Sequence, residues 1–173
     1  MTLDERPHAT NLRDLLLEVR GGYVLHRPIL VDVTPRAGHG PEHTLERTLT
    51  MQLPALGEPQ LAAELAGCAF VLIGANKLHA STEPPMTIGR SRRCDVRIDN
   101  ESVSKVHGSI GFDDARGYLV VDENSRNGTR VNGETLAPGT AAPVYAGAQV
   151  AFGDATFVFL DPPTLRKLAR LAT

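Results

Sequence analysis

The 173-residue sequence predicts a mainly β protein: an antiparallel two-sheet β-sandwich with a helix-containing N-terminal extension and a short C-terminal helix. Three observations predict it. Between residues 68 and 161, apolar runs of strand length recur at short spacing, divided by Gly, Asn, Asp or Pro, as in a sandwich or barrel. The dividing segments carry turn chemistry: residues 113–117 read as a hairpin loop, and Asn132-Gly133 is the dipeptide that favours a tight type I′ turn. Hydrophobic residues make up 42% and charged residues 22%, enough for a core, while 5% aromatics and no Trp leave aliphatic side chains to fill it. The length suits one domain plus an extension. We expect residues 1–66 to be the extension, 67–161 the sandwich and 162–173 the C-terminal helix.

Taken in order, residues 11–20 form the first expected helix, capped by Thr10 or Asn11, with Leu12, Leu15, Leu16 and Val19 on one face and Gly21-Gly22 as its stop. Residues 23–33 read as extended, interrupted by Pro28. Residues 34–60 hold seven Pro or Gly at positions 35, 38, 40, 41, 54, 57 and 59, which suits an irregular segment. His39 and His43 stand there at i, i+4 around Glu42, but Gly40-Pro41 undermines the helix a metal site would need. A solvated loop is preferred, and no metal or cofactor is expected. Residues 60–65 suit a short helix ended by Gly67.

Candidate strands follow at 68–73, 77–81, 86–89, 95–98, 107–112, 117–122, 129–132, 149–152 and 155–160. Pro162-Pro163 stops the last of them. Residues 164–171 then read as a helix whose Leu165, Leu168 and Leu171 face the sheet and whose three basic residues face solvent.

Bulk chemistry narrows the function classes. A net charge of −2 argues against a general nucleic-acid binder. Residues 1–85 hold 7 Lys/Arg against 10 Asp/Glu, whereas residues 86–173 hold 11 against 10, so the cations gather in the second half. Cys68 and Cys94 make neither a disulfide framework nor a zinc motif, which suits reduced thiols. The N-terminal residues lack the features of a secretory signal, and no apolar run approaches the ~20 residues of a membrane span. We therefore expect a soluble, cytoplasmic protein with no nucleic-acid or membrane partner.

Residues 86–133 carry the chemistry. Three polar loops there hold Gly89-Arg90, Ser104-Lys105-Val106-His107 and Asn127-Gly128. A phosphate monoester offers about −1.5 to −2 charges and three acceptor oxygens, so its recognition needs a fixed guanidinium, neutral donors and backbone N–H groups. Arg90 supplies a planar fork, and Gly89 beside it removes bulk where the loop packs closely. Ser104 supplies a hydroxyl and Lys105 a second cation. Asn127 both donates and accepts, which suits the main chain of a bound peptide, and Gly128 permits the turn that aims it.

The order Gly89-Arg90, Ser104-x-x-His107, Asn127-Gly128 resembles the pattern of the forkhead-associated (FHA) domain, a phosphothreonine-reading β-sandwich, over about residues 68–161. The resemblance implies that Arg90 and Ser104 bind the phosphate, that Asn127 holds the peptide main chain, and that His107 supports the loops. The family often has Thr before the Asn-Gly pair. Arg126 stands here, close to the expected phosphate. The family's eleven strands imply two short strands beyond the nine read above.

The resulting expectation is a non-enzymatic module that recruits a threonine-phosphorylated partner, a Ser/Thr kinase or its substrate. A phospho-independent scaffolding sandwich is the main alternative. A Ser104–His107 nucleophile and base pair is the enzymatic one, disfavoured because Asp99 and Glu101 have no orienting spacing and no nucleophile elbow surrounds Ser104. The resemblance also admits self-occupancy of the site by an N-terminal phosphothreonine; Thr44, Thr48 and Thr50 are candidates, the last with Leu53 at +3.

Overall fold

The computed structural model describes residues 9–34, 57–73 and 84–172. Six strands form one sheet, in the order β2 (Phe70–Leu72), β1 (Ile29–Asp32), β11 (Ala155–Leu160), β10 (Gln149–Phe152), β7 (Thr129–Val131), β8 (Glu134–Thr135). Five form the other, in the order β4 (Val96–Arg97), β3 (Met86–Gly89), β5 (Gly108–Asp113), β6 (Gly117–Asp122), β9 (Ala141–Pro143). The two-sheet sandwich is as expected. Most pairs are antiparallel, but β3 and β4 run parallel, joined by the loop that begins at Arg90.

The side-chain period of two sorts the core into layers. Leu30 of β1 and Ala155, Phe157 and Phe159 of β11 point between the sheets, where they meet Ile88, Ile110, Val120 and Phe152. Ile29 and Val31 of β1 and Val158 and Leu160 of β11 point the other way, onto three helices. These are α1 (Leu12–Arg20), α2 (Glu58–Leu65) and α3 (Pro162–Leu171). The six-stranded sheet is thus covered on both faces, which is why residues 29–31 of β1 and 157–160 of β11 read as unbroken apolar runs. Of the region expected to be an extension, the described residues join the sandwich: β1 is a strand of the six-stranded sheet, and α1 and α2 pack on that sheet in the third layer.

Local chemistry sets the helix ends. Asn11 caps α1, its Oδ1 accepting the Asp14 N–H at 2.9 Å. Asp161 caps α3 in the same way, accepting from the Thr164 N–H at 2.9 Å. That cap corrects one expectation: α3 starts at Pro162 rather than Thr164, because prolines in the first turn forfeit no helical bond. A second correction concerns its buried face. Leu165, Leu168 and Ala169 are buried, but Leu171 is 43% exposed, since at ~100° per residue it lies about 110° from the centre of that stripe. Leu165→Ala is expected to destabilise the protein by about 2–4 kcal/mol, read as a lowered urea midpoint, because it opens a cavity between α3 and the sheet.

Asn132 (φ 50) and Gly133 (φ 85) make the tight β7–β8 turn that their dipeptide predicts. Strands β8 and β9 were not among the nine read from the sequence. They have two and three residues and bury little, so no apolar run announces them. The candidate strand at 77–81, the His39/Glu42/His43 cluster and Thr44, Thr48, Thr50 and Leu53 lie outside the described residues.

Candidate functional site

Three loops meet at one end of the sandwich: residues 90–95 after β3, 98–107 after β4 and 123–128 after β6. Their backbones are laced together. The Arg90 N–H donates to the Ser104 carbonyl at 2.9 Å and the Ser91 N–H to the Lys105 carbonyl at 3.1 Å. The Cys94 thiol reaches the same Lys105 oxygen at 3.1 Å, and burial pushes its pKa up, so it stays a thiol. So close an approach explains Gly89: a Cβ there would lie 2.4 Å from the Lys105 oxygen. The glycine is demanded by a neighbour's backbone, not by a turn.

Arg90 is anchored by one edge. Its Nε donates to the Val103 carbonyl at 3.2 Å, while its two terminal nitrogens make no hydrogen bond to a described residue. Ser104 lies on the neighbouring loop, bonded to Arg90 through the backbone. Its Oγ accepts the Arg126 N–H at 3.0 Å, which leaves its own proton to donate elsewhere.

His107 holds this arrangement from below, fully buried. Its Nδ1 accepts the Ser104 N–H at 3.1 Å, so that nitrogen carries no proton and Nε2–H donates to the Gly128 carbonyl at 3.0 Å. The Phe152 ring meets it edge-on at 5.6 Å. The ring therefore touches the Ser104 backbone rather than its hydroxyl, and both nitrogens are engaged by main chain. That is not the geometry of a nucleophile and its base.

Asn127 is half spent. Its Nδ2 donates to the Ser102 carbonyl at 2.7 Å, leaving Oδ1 without a described partner. Gly128 has φ 76, the left-handed conformation expected for the turn. Lys105 and Arg126 are exposed, and their charged ends make no ion pair with a described residue. The structure thus gathers Gly89, Arg90, Ser104, Lys105, His107, Arg126, Asn127 and Gly128 around one rim.

Sequence reasoning missed a second tier. Asp122, 1% exposed, accepts from the Ser125 N–H at 2.9 Å, the Ser125 hydroxyl at 2.7 Å and the Thr129 hydroxyl at 2.6 Å. The Ser125 Oγ in turn accepts the Gly128 N–H at 2.9 Å, so this carboxylate fixes the loop that carries Asn127. Ser102 does similar work, its Oγ accepting the Asp154 N–H at 2.8 Å while its carbonyl takes Asn127. The available signal was the run of Asp and Ser residues at turn-forming spacings, which many loops share.

Titration follows from these contacts. Burial pushes the His107 pKa below its usual 6.5, and the Gly128 bond and the Asp122 charge only partly offset it. For Asp122, burial acts upward, but the donors from Thr129 and Ser125 outweigh it and hold the carboxyl below 3.8. Both folded pKa values lie below the unfolded ones, so the unfolded chain takes up protons first as pH falls. Stability is expected to be complete above pH 6.5, to decline below it through His107, and to decline again below 3.8 through Asp122. Urea midpoints measured against pH should show the upper step, and His107→Gln should remove it.

No helix of the described residues is long and apolar enough to cross a membrane, and among them no group of three or more His, Cys, Asp or Glu is placed to hold a metal ion.

Comparison with known proteins agrees with the loop pattern. The family model of the FHA domain matches residues 86–153. Angiogenic factor with G patch and FHA domains 1 of Mus musculus is 40% identical over 82 residues, covering 43% of this chain but 12% of that protein. The oxoglutarate dehydrogenase inhibitor of Corynebacterium diphtheriae is 30% identical over 150 residues, covering 87% of this chain and 85% of that protein. The solved FHA domain of CT664 from Chlamydia trachomatis aligns over 78% of this chain and 97% of its own, at 18% identity and TM-score 0.48.

Proposed function

The chain belongs to the forkhead-associated domain family, and on that footing we propose that it is a non-catalytic phosphothreonine-peptide reader that recruits a phosphorylated partner in Ser/Thr kinase signalling. One observation carries the reading. The terminal nitrogens of Arg90 and the hydroxyl proton of Ser104, which have no acceptor among the described residues, lie on backbone-laced loops at one rim, donors available to an oxyanion.

In this reading Arg90 and Ser104 take the phosphate, Lys105 and Arg126 add positive charge, and Asn127 offers Oδ1 to a peptide N–H. Gly89, His107 and Gly128 hold the loops in place. The pre-laced geometry keeps the ordering cost of binding low. The partner is a threonine-phosphorylated protein, either a Ser/Thr kinase or a substrate of one. Affinity rises with pH through the phosphate's second pKa of ~6 and falls with salt.

Calorimetry with a phosphothreonine peptide and its unphosphorylated twin tests this. Binding of the first and not the second is the expected result. If dephosphorylation of a captured partner and Arg90→Ala both leave capture unchanged, the surface is instead a phospho-independent scaffold.

A further inference from the structure

The loop rim holds more positive charge than one phosphate requires. Residues 90–93, 104–106 and 125–127 contain five cations, Arg90, Arg92, Arg93, Lys105 and Arg126, and no Asp or Glu. Against a whole-chain charge of −2 this is a local concentration. Arg92 and Arg93 are exposed, and neither forms an ion pair with a described residue. Elsewhere on the described surface, Arg97 pairs with Asp99 at 3.2 Å and Arg116 with Asp113 at 3.4 Å, whereas none of the five rim cations has an ion-pair partner among the described residues. The same three loops also hold Asp95, Asp99, Glu101 and Glu123, but Asp95 accepts from Thr87, Asp99 pairs with Arg97 and Glu123 accepts from the Ser109 hydroxyl, while Glu101 is exposed three residues before Ser104.

Arg92 and Arg93 are also well placed. Their turn is closed by the Cys94 N–H on the Ser91 carbonyl at 3.1 Å and by the Arg93 N–H on the Ser91 hydroxyl at 3.2 Å. The same Ser91 is tied to Lys105 through its N–H. The pair is therefore held on a short turn joined directly to the Arg90–Ser104 bridge, rather than on a free loop.

We propose that Arg92 and Arg93 form a second anion subsite, so that this protein selects phosphothreonine segments flanked by further negative charge, either carboxylates or another phosphate. The proposal rests on the phosphothreonine reading and adds the class of segment read. Charge complementarity is its physical basis: each open guanidinium gains a partner without losing an existing one. A cluster confined to one loop rim on an acidic chain fits a short peptide better than a nucleic-acid backbone, which calls for an extended basic face.

The test uses the full chain and three synthetic peptides around one phosphothreonine: neutral flanks, Glu-rich flanks, and neutral flanks with a second phosphothreonine. Fluorescence anisotropy should give about three- to tenfold tighter binding of one or both acidic peptides than of the neutral one, the range for two partly solvated ion pairs. The stronger of the two identifies the source of the second charge. Arg92→Gln/Arg93→Gln should erase that gain and leave the neutral peptide's affinity in place. Arg166→Gln/Arg170→Gln, which removes the same charge from α3, should leave the gain intact.

Equal affinity for all three peptides overturns the proposal, as does loss of the gain in the α3 variant, which would make it a bulk charge effect. Binding of a short DNA duplex more tightly than the acidic peptides, through Arg92 and Arg93, would assign the rim to nucleic acid. A neutral phosphopeptide that binds no better than its unphosphorylated form would instead defeat the underlying phosphothreonine reading, a separate and recognisable result.

Discussion

Arg90→Ala is expected to weaken phosphothreonine-peptide binding by about 30- to 150-fold, the equivalent of ~2–3 kcal/mol for charge-assisted hydrogen bonds to a dianion. The fold should barely notice. The side chain makes one structural bond, from Nε to the Val103 carbonyl, and its loss costs ~1 kcal/mol or less. Calorimetry and a thermal melt on the same sample separate the two effects. Arg90→Lys should restore only part of the affinity, because an ammonium keeps the charge but not the fork. A variant whose affinity and melting temperature fall together would show that Arg90 acts by holding the loop, and the recognition role would fail.

Gly89→Ala is expected to have the opposite signature, with stability falling first and affinity following. The added Cβ would lie 2.4 Å from the Lys105 oxygen and 2.9 Å from its carbonyl carbon, and neither is a flexible group that can turn aside. Relief requires β3 and the 98–107 loop to part, which breaks the Arg90–Ser104 and Ser91–Lys105 backbone bonds. The cost is at least about 2–3 kcal/mol, or roughly 5–10 °C in Tm for a chain of this size. Amide exchange at Arg90 and Ser91 should accelerate. A melting temperature within a degree of the parent would mean that the contact yields easily and that this account of the glycine is mistaken.

These contrasting signatures bear on what can be read from sequence. The rim residues were legible because each carries a chemical reason at its own position: a glycine beside an arginine, a serine three residues before a histidine, an asparagine before a glycine. The strands with strong apolar alternation were legible for the same reason. What escaped was set by partners distant in sequence. That His107 accepts from the Ser104 amide and donates to Gly128 depends on the packing of two loops, and no local pattern specifies a tautomer. Asn127 gives its amide to Ser102, a residue 25 positions away, so the group left for a ligand is narrower than its donor and acceptor inventory suggests. Asp122 looks like any acidic residue at a strand end until burial and three donors surround it. Strands β8 and β9 have too few residues for periodicity to operate.

The placement of β1 has a consequence for how the chain reaches this state. Its four residues pair with β2 along one edge and with β11 along the other, Ile29 opposite Leu160. The second pairing joins segments about 130 positions apart, so its loop-closure entropy is met late and folding should be slow for the chain's length. During synthesis at ~5–20 residues per second, the β11 edge of β1 waits roughly 6–26 s for its partner to emerge. Through that interval Ile29, Val31 and the apolar face of α1 lack the C-terminal strand and helix that finally cover them. A nascent chain halted before residue 155 should therefore bind chaperones and aggregate more readily than the 173-residue chain, and emergence of residues 155–173 should end that vulnerability in one cooperative step.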